Sequence, residues 1–297
     1  MNNLLQSSIF SSLEGDLKEI AIKISNAKVV QLMAPADLEG VLSLAQLESA
    51  FLDNSKNYRR RVLAPRRNVS RGFTDDLPNV EGLIVHLDCS HEPQTKFEIN
   101  ENYIRILPQE VTVTFPGSTK EHNGVVECVA ICAAIAEILS PEGTRVRKQR
   151  PMAYSGSWLR GAADSNYDPV MSLLRDHLDK EGSLDIIPLP EVEMPNVGMV
   201  PGFSKMMLNR LSRAWKDMDL DERSSAISEL VLPALRIDGI STMRLEELIW
   251  HRAIVSGSEV DIASQLYLAG NVWPADEEDA KAHASNVLDD LIVNGHF

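Results

Sequence analysis

The chain has 297 residues, 44% of them apolar, and carries 29 Lys and Arg against 43 Asp and Glu for a formal net charge of −14. That is room for one large domain or two modest ones with a real core, and it excludes a surface that is basic throughout and made for nucleic acid. No apolar stretch reaches the roughly 18 residues of a membrane span, and the opening MNNLLQSSIF lacks the basic, apolar and small-residue segments of a secretory leader.

Residues 4–26 place Leu5, Ile9, Leu13, Leu17, Ile20 and Ile24 at helical spacing, which predicts a helix. A β-branched run at 28–33 predicts a strand that breaks at Ala34-Pro35. Leu44, Leu47 and Phe51 then mark an amphipathic helix. Strands are expected at 58–63, 83–87, 97–99, 103–107 and 111–115. The run 83–87 (LIVHL) is nearly continuous in apolar residues, which suits a strand covered on both faces of a parallel sheet. Residues 124–139 are apolar almost all round and predict a buried helix, closed off by Ser140-Pro141-Glu142-Gly143. Beyond it, helical patterning falls on 157–163, 168–180, 203–216, 221–235, 243–255, 259–269 and 276–293. The stretch 186–203, with Pro188, Pro190, Pro195 and Pro201, reads as an irregular connector. The pattern predicts an α/β fold with a mainly parallel sheet flanked by helices over 1–165, and a mostly helical accessory region over 166–297.

Three cysteines, Cys89, Cys128 and Cys132, do not make a disulfide framework, and a reducing, cytoplasmic setting is expected. Cys128 and Cys132 share a helix face as small core residues, since no second pair completes a metal site. His86, His122, His177, His251, His283 and His296 show no ligand spacing and read as surface or packing residues. Trp158, Trp215, Trp250 and Trp273 read as core or interface anchors.

Positive charge is concentrated in two places. Residues 54–74 hold no acid but carry Lys56, Arg59, Arg60, Arg61, Arg66, Arg67 and Arg71. A second cluster is Arg145, Arg147, Lys148 and Arg150. Each is a candidate contact for phosphate or an acidic partner, and each is equally a solvated loop.

Three short segments could carry chemistry. Pro35-Ala36-Asp37-Leu38-Glu39-Gly40 follows a strand and opens a helix. It stands where open parallel sheets bind ligands, although acids in a first helical turn are also ordinary caps. Leu87-Asp88-Cys89-Ser90-His91-Glu92-Pro93 again follows a strand. A carboxylate can orient an imidazole or share a divalent cation with it, or Asp88 and Ser90 can simply bond a local turn. Trp158-Leu159-Arg160-Gly161-Ala162-Ala163-Asp164 ends a short apolar segment in an acid.

The order of these segments resembles the phosphoesterase family named for its Asp-His-His motif, the DHH family, which includes the RecJ exonucleases. In that family a strand leads to His-x-Asp-x-Asp-Gly and a helix. A later strand ends in Asp-His-His-x-Pro, and a buried helix and an Ala-x-x-Gly-x-x-x-Asp segment follow. PADLEG, DCSHEP, GVVECVAICAAIAEIL and LRGAAD look like these four elements over residues 28–165. The resemblance implies a DHH-type α/β domain with Asp37, Glu39, Asp88, His91 and Asp164 as its surviving or vestigial metal ligands. Pro35 stands where the family has a ligating His, Glu39 replaces an Asp, and one His of the pair is missing. Two-metal hydrolysis needs ligands enough for two ions about 3.5–4 Å apart, and proline offers no donor atom.

DCSHEP followed by QTKFEINENYIRIL is also similar to a family branch that has lost its site, the replication factor cell division cycle protein forty-five. The resemblance thus implies an archaeal-type, non-catalytic scaffold of DNA replication with GINS and MCM proteins as partners, nucleoid-associated in the cytoplasm, without a cofactor and with single-stranded DNA as a candidate contact. The alternative is a Mn- or Mg-dependent phosphoesterase or single-strand exonuclease.

Overall fold

In the computed structural model, which describes residues 4–66, 77–161, 164, 168–200, 202–236 and 240–297, the chain opens with two 3-10 turns, Leu4–Gln6 and Ser8–Phe10. The helix expected from residue 4 begins only at α1 (Glu14–Asn26), which buries Leu17, Ile20, Ala21 and Ile24. Tertiary contact overrides helical spacing here: Leu4, Ile9 and Phe10 are all fully buried, and the Leu4 N–H donates to a Glu137 carboxylate oxygen at 2.8 Å.

The next elements follow the expected order. They are β1 (Val30–Pro35), α2 (Leu38–Asp53), β2 (Tyr58–Leu63), β3 (Leu83–Leu87), β4 (Glu98–Ile99) and β5 (Tyr103–Ile106). Together the strands form a five-stranded sheet in the order β2-β1-β3-β5-β4. All neighbours run parallel except β4, which returns antiparallel on β5. The fold is therefore α/β with a mostly parallel sheet flanked by helices, followed by a helical C-terminal region.

The register sorts the side chains by period 2. One face carries Val30, Leu32 and Ala34 with Val85, Leu87, Ile104 and Ile106, all fully buried. The other carries Gln31 beside Arg59, with Arg61, His86, Tyr103 and Arg105. The expected covering of 83–87 on both faces holds, since β1 is buried throughout and β3 everywhere but Ile84, although the second face mixes these polar groups with Met33 and Ile84. His86 is nonetheless fully buried there, its Nδ1 3.1 Å from the Tyr103 hydroxyl.

The run 124–139 divides. Its first residues belong to β7 (Glu121–Val126), which pairs antiparallel with β6 (Gln109–Thr114), and α3 (Cys128–Leu139) follows. An apolar run buried all round reads alike as strand or helix, so the boundary was invisible. Gly124 is a strand residue: a Cβ there would lie 2.7 Å from a Val170 methyl. Helices α4 (Thr144–Gln149), α5 (Ser155–Arg160) and α6 (Pro169–Glu181) come next.

In the C-terminal region, α7 (Lys205–Ala214), α8 (Leu220–Val231), α9 (Thr242–Trp250), α10 (Ile262–Asn271) and α11 (Glu277–Asn294) match the expected helices closely. Two strands lie where none was expected. β8 (Leu184–Ile187) enters the connector, and β9 (Arg252–Val255) replaces the end of the helix expected at 243–255. They pair antiparallel across a long sequence separation, and the Arg252 guanidinium is held by Asp261 at 2.9 Å with both side chains fully buried. One buried cluster runs from Leu4 to Ile292, with α11 packed on α2 and β2. Among the described residues no helix is long and apolar enough to cross a membrane.

Candidate functional site

Parts of the segments singled out in the sequence meet at the carboxyl ends of the parallel strands, where Glu39, Cys89 and Arg160 interact, whereas Asp164 is tied to Arg244 of α9. β1 ends at Pro35, and Asp37 is the extended N-cap of α2, its Oδ1 accepting the Gly40 N–H at 2.8 Å. Gly40 is needed because a Cβ there would lie 2.3 Å from the Pro35 carbonyl oxygen. The helix thus starts pressed against the strand it follows. Trp273, between α10 and α11, donates its indole N–H to the Ala36 carbonyl at 2.9 Å, so the C-terminal region fastens this loop.

Asp88 follows β3 and is fully buried. Its Oδ2 accepts from Arg105 Nε at 2.9 Å and from Arg105 Nη2, and its Oδ1 pairs with Arg66 Nη1 at 2.5 Å. Two guanidiniums therefore flank one carboxylate, with charge-assisted hydrogen bonds from Arg105 and an ion pair to Arg66. His91 does not face Asp88 through its ring. Its N–H donates to the Asp88 carbonyl at 3.2 Å, and its Nδ1 lies 2.8 Å from the Glu92 carbonyl. Asp88 and His91 form a turn.

Asp164 pairs with Arg244 Nη1, and the Arg244 guanidinium lies 5.4 Å from the Trp158 ring centroid. Gly161 adopts φ +72°, and a Cβ there would strike the Asp164 carboxylate, so glycine lets the chain fold back at the end of α5.

Glu39 differs from the other acids. Its Oε1 is closed off from solvent and has no hydrogen-bond partner among the described residues. Burial, then the nearby Cys89, Glu127 and Asp37, hold its carboxyl well above its ordinary value, with Arg160 opposing them. Glu127, buried at the start of α3, accepts from Arg160 Nη1 at 3.1 Å. Ser43 Oγ lies 3.4 Å from Cys89 Sγ. All three cysteines are buried and free, and burial pushes the Cys128 and Cys132 thiols up, so both stay protonated as core residues.

The sequence reading missed Glu127, Arg105, Arg160 and Arg244 at this site. Period-2 alternation on β5 put Arg105 on the face that Asp88 shares with His86, which was the available signal. The other three depend on contacts between elements far apart in sequence.

A divalent ion of the kind the resemblance implies needs several carboxylate oxygens and imidazole nitrogens free at once. The residues present do not fit it. Both oxygens of Asp88 meet guanidiniums, Asp37 caps a helix, the His91 Nδ1 meets a backbone carbonyl, and Asp164 meets Arg244. Among the described residues no group of three or more His, Cys, Asp or Glu side chains is arranged to hold a metal.

The basic residues separate by use. Arg60 binds Glu48, which is fully buried, and also Asp289. Arg66 belongs to Asp88. Arg67 and Arg71 lie outside the described residues. Arg145 pairs with Asp53, Arg147 with Glu142, and Arg150 with both Glu137 and Glu181, while the Lys148 ammonium donates to the Val293 carbonyl. Arg59 and Arg61 stay on the polar face of the sheet.

No family model matches the sequence, and no curated protein matches it.

Proposed function

We propose that this chain is a non-catalytic scaffold of DNA replication built on a DHH-type domain, associating with the GINS and MCM components of a replicative helicase at the nucleoid. The observation that carries this reading is Asp88 held between Arg66 and Arg105. A fixed guanidinium supplies at that position the positive charge that a catalytic ion would bring, but it has no open coordination site for a phosphodiester or an attacking water. The pairs Arg160–Glu127 and Arg244–Asp164 likewise tie acids of the sequence segments and α3 to guanidiniums. The four sequence segments in family order supply the family side of the reading. The acidic net charge suits a protein whose main partners are proteins.

A second reading, a Mn- or Mg-dependent phosphoesterase, rests on Glu39, whose unpartnered Oε1 lies near Glu127 and Asp37. One assay separates the two. The purified chain is incubated with Mn²⁺ and end-labelled single-stranded DNA. The scaffold reading expects intact DNA, and degradation that disappears in Asp88→Ala would overturn it. The partner side is tested by tagging the chain in its native cell: GINS and MCM subunits should co-purify, and their absence removes the replication assignment.

A further inference from the structure

A cavity of about 740 Å³ opens at the amino ends of the parallel strands, the end opposite the acids. Its cationic lining is Lys23 and Lys28, which flank the end of α1, together with Arg59 and Arg61 from β2. Among the described lining residues Glu81 and Glu101 are the only acids, a surplus of two positive charges in a chain whose net charge is −14.

The cations are not used up internally. The Arg59 and Lys28 side chains make no hydrogen bond or ion pair among the described residues, and both residues are exposed. Arg61 is held only through its Nε, which donates to Gln31 Oε1 at 3.3 Å, leaving the guanidinium's other donors. Gln31 in turn donates to the Glu81 carbonyl at 2.9 Å, which ties the cavity wall to the sheet.

The base of the cavity is backbone and short aliphatic groups. Gly82 sits at φ +107° with Val29 so near that a Cβ would lie 2.6 Å from its carbonyl oxygen. Arg59 and Arg61 project from the same face of one strand, two residues and about 6.6 Å apart. Strand placement roots the two arginines side by side on one face of β2, and the lysines on the rim add further charge. Guanidinium forks match phosphate oxygens bidentately. The volume lies in the range of small-molecule sites, and among the described lining residues there is no aromatic ring to stack a nucleobase.

We infer that this cavity binds a small anion carrying at least two phosphate groups, gripped by Arg59 and Arg61 and completed by Lys28 and Lys23. The site stands apart from the replication reading, because it shares no residue with the acid cluster and its test measures neither nuclease activity nor partner recovery.

The experiment is a calorimetric titration of the full chain with inorganic tripolyphosphate at moderate salt. The wild-type chain should bind saturably. The double variant Arg59→Gln with Arg61→Gln should lose roughly tenfold or more in affinity, as expected when charge-assisted contacts to phosphate are removed. The variant Arg147→Gln, in the other basic cluster, should bind like wild type. If the double variant fails to fold, Arg59→Gln alone serves, since Arg59 is exposed and unpaired. Absence of saturable binding to the wild-type chain overturns the inference, as does equal affinity in the Arg59 variants. Tighter binding of an oligothymidylate or a polyglutamate peptide at the same residues also overturns it, because it reassigns the cavity to a macromolecule.

Discussion

The two basic runs look alike along the chain and end in opposite situations. On and just after α4, Arg145, Arg147 and Arg150 each meet an acid outside that helix, and Lys148 meets a backbone carbonyl near the end of α11. On β2 the charges alternate with the pleat. Arg60 turns to the packed face and joins Glu48, while Arg59 and Arg61 turn to the polar face and line a cavity. The run on α4 serves to join segments, and two of the three arginines on β2 remain available to a ligand. A count of cations in a sequence window therefore says little about binding until the partners of each are known.

The sharpest way to break this comparison is to remove the structural members. Arg60→Met strands Glu48, and Arg150→Met strands Glu137 and Glu181, all with side chains that are buried or nearly so. Each should cost about 3 kcal/mol of stability, read from urea denaturation midpoints, because an unpaired charge is left inside. If either variant is as stable as wild type, the division into structural and available arginines is wrong.

Asp37 gives a smaller effect. As the N-cap of α2, Asp37→Ala should cost about 1 kcal/mol and Asp37→Ser should restore most of it, since a hydroxyl also caps a helix. A serine variant as unstable as the alanine one would mean that the carboxylate does more than cap.

Glu39 gives a pH-dependent effect whose sign follows from its environment. Burial first, then its acidic and thiol neighbours, raise its folded-state pKa above the ordinary 4.5. The folded chain therefore holds this proton more tightly than the unfolded one, and stability falls as pH rises from the ordinary value through the folded one. Glu39→Gln removes that loss. Its advantage over wild type in urea should be larger at about pH 8 than at about pH 5, and an advantage that shrinks as pH rises would contradict the burial of Oε1.

The smallest effect is expected at Arg59. Arg59→Gln should change stability by no more than about 0.5 kcal/mol, as for exposed positions without partners. A larger loss would place Arg59 with Arg60 and Arg150 and dissolve the contrast.

Much of the molecule was legible beforehand where local pattern decides. The strands at 58–63 and 83–87 and the long helices of the C-terminal half came out as their periodicity predicted. The site was legible only as positions. Asp37, Asp88 and Asp164 do lie at strand or helix ends, but which cations meet Asp88 and Asp164 was not legible, because Arg66, Arg105 and Arg244 reach them from other elements. The misread elements share that cause. β7 and α3 form one apolar run whose division is set by pairing with β6, and β8 finds β9 more than sixty residues later.

By itself the sequence determined the α/β class, the order of most elements, the concentration of arginine on β2 and the acids at the strand ends. These follow from hydrophobic period, turn chemistry and charge, all read within a few residues. Only the tertiary structure decided that Asp88 and Asp164 are neutralised by guanidiniums, that the α4 cluster is spent on internal pairs, and that Arg59 and Arg61 are left facing a cavity. The reason is physical: the fate of a charge depends on burial and on partners within a few ångströms, and those partners come from anywhere in the chain.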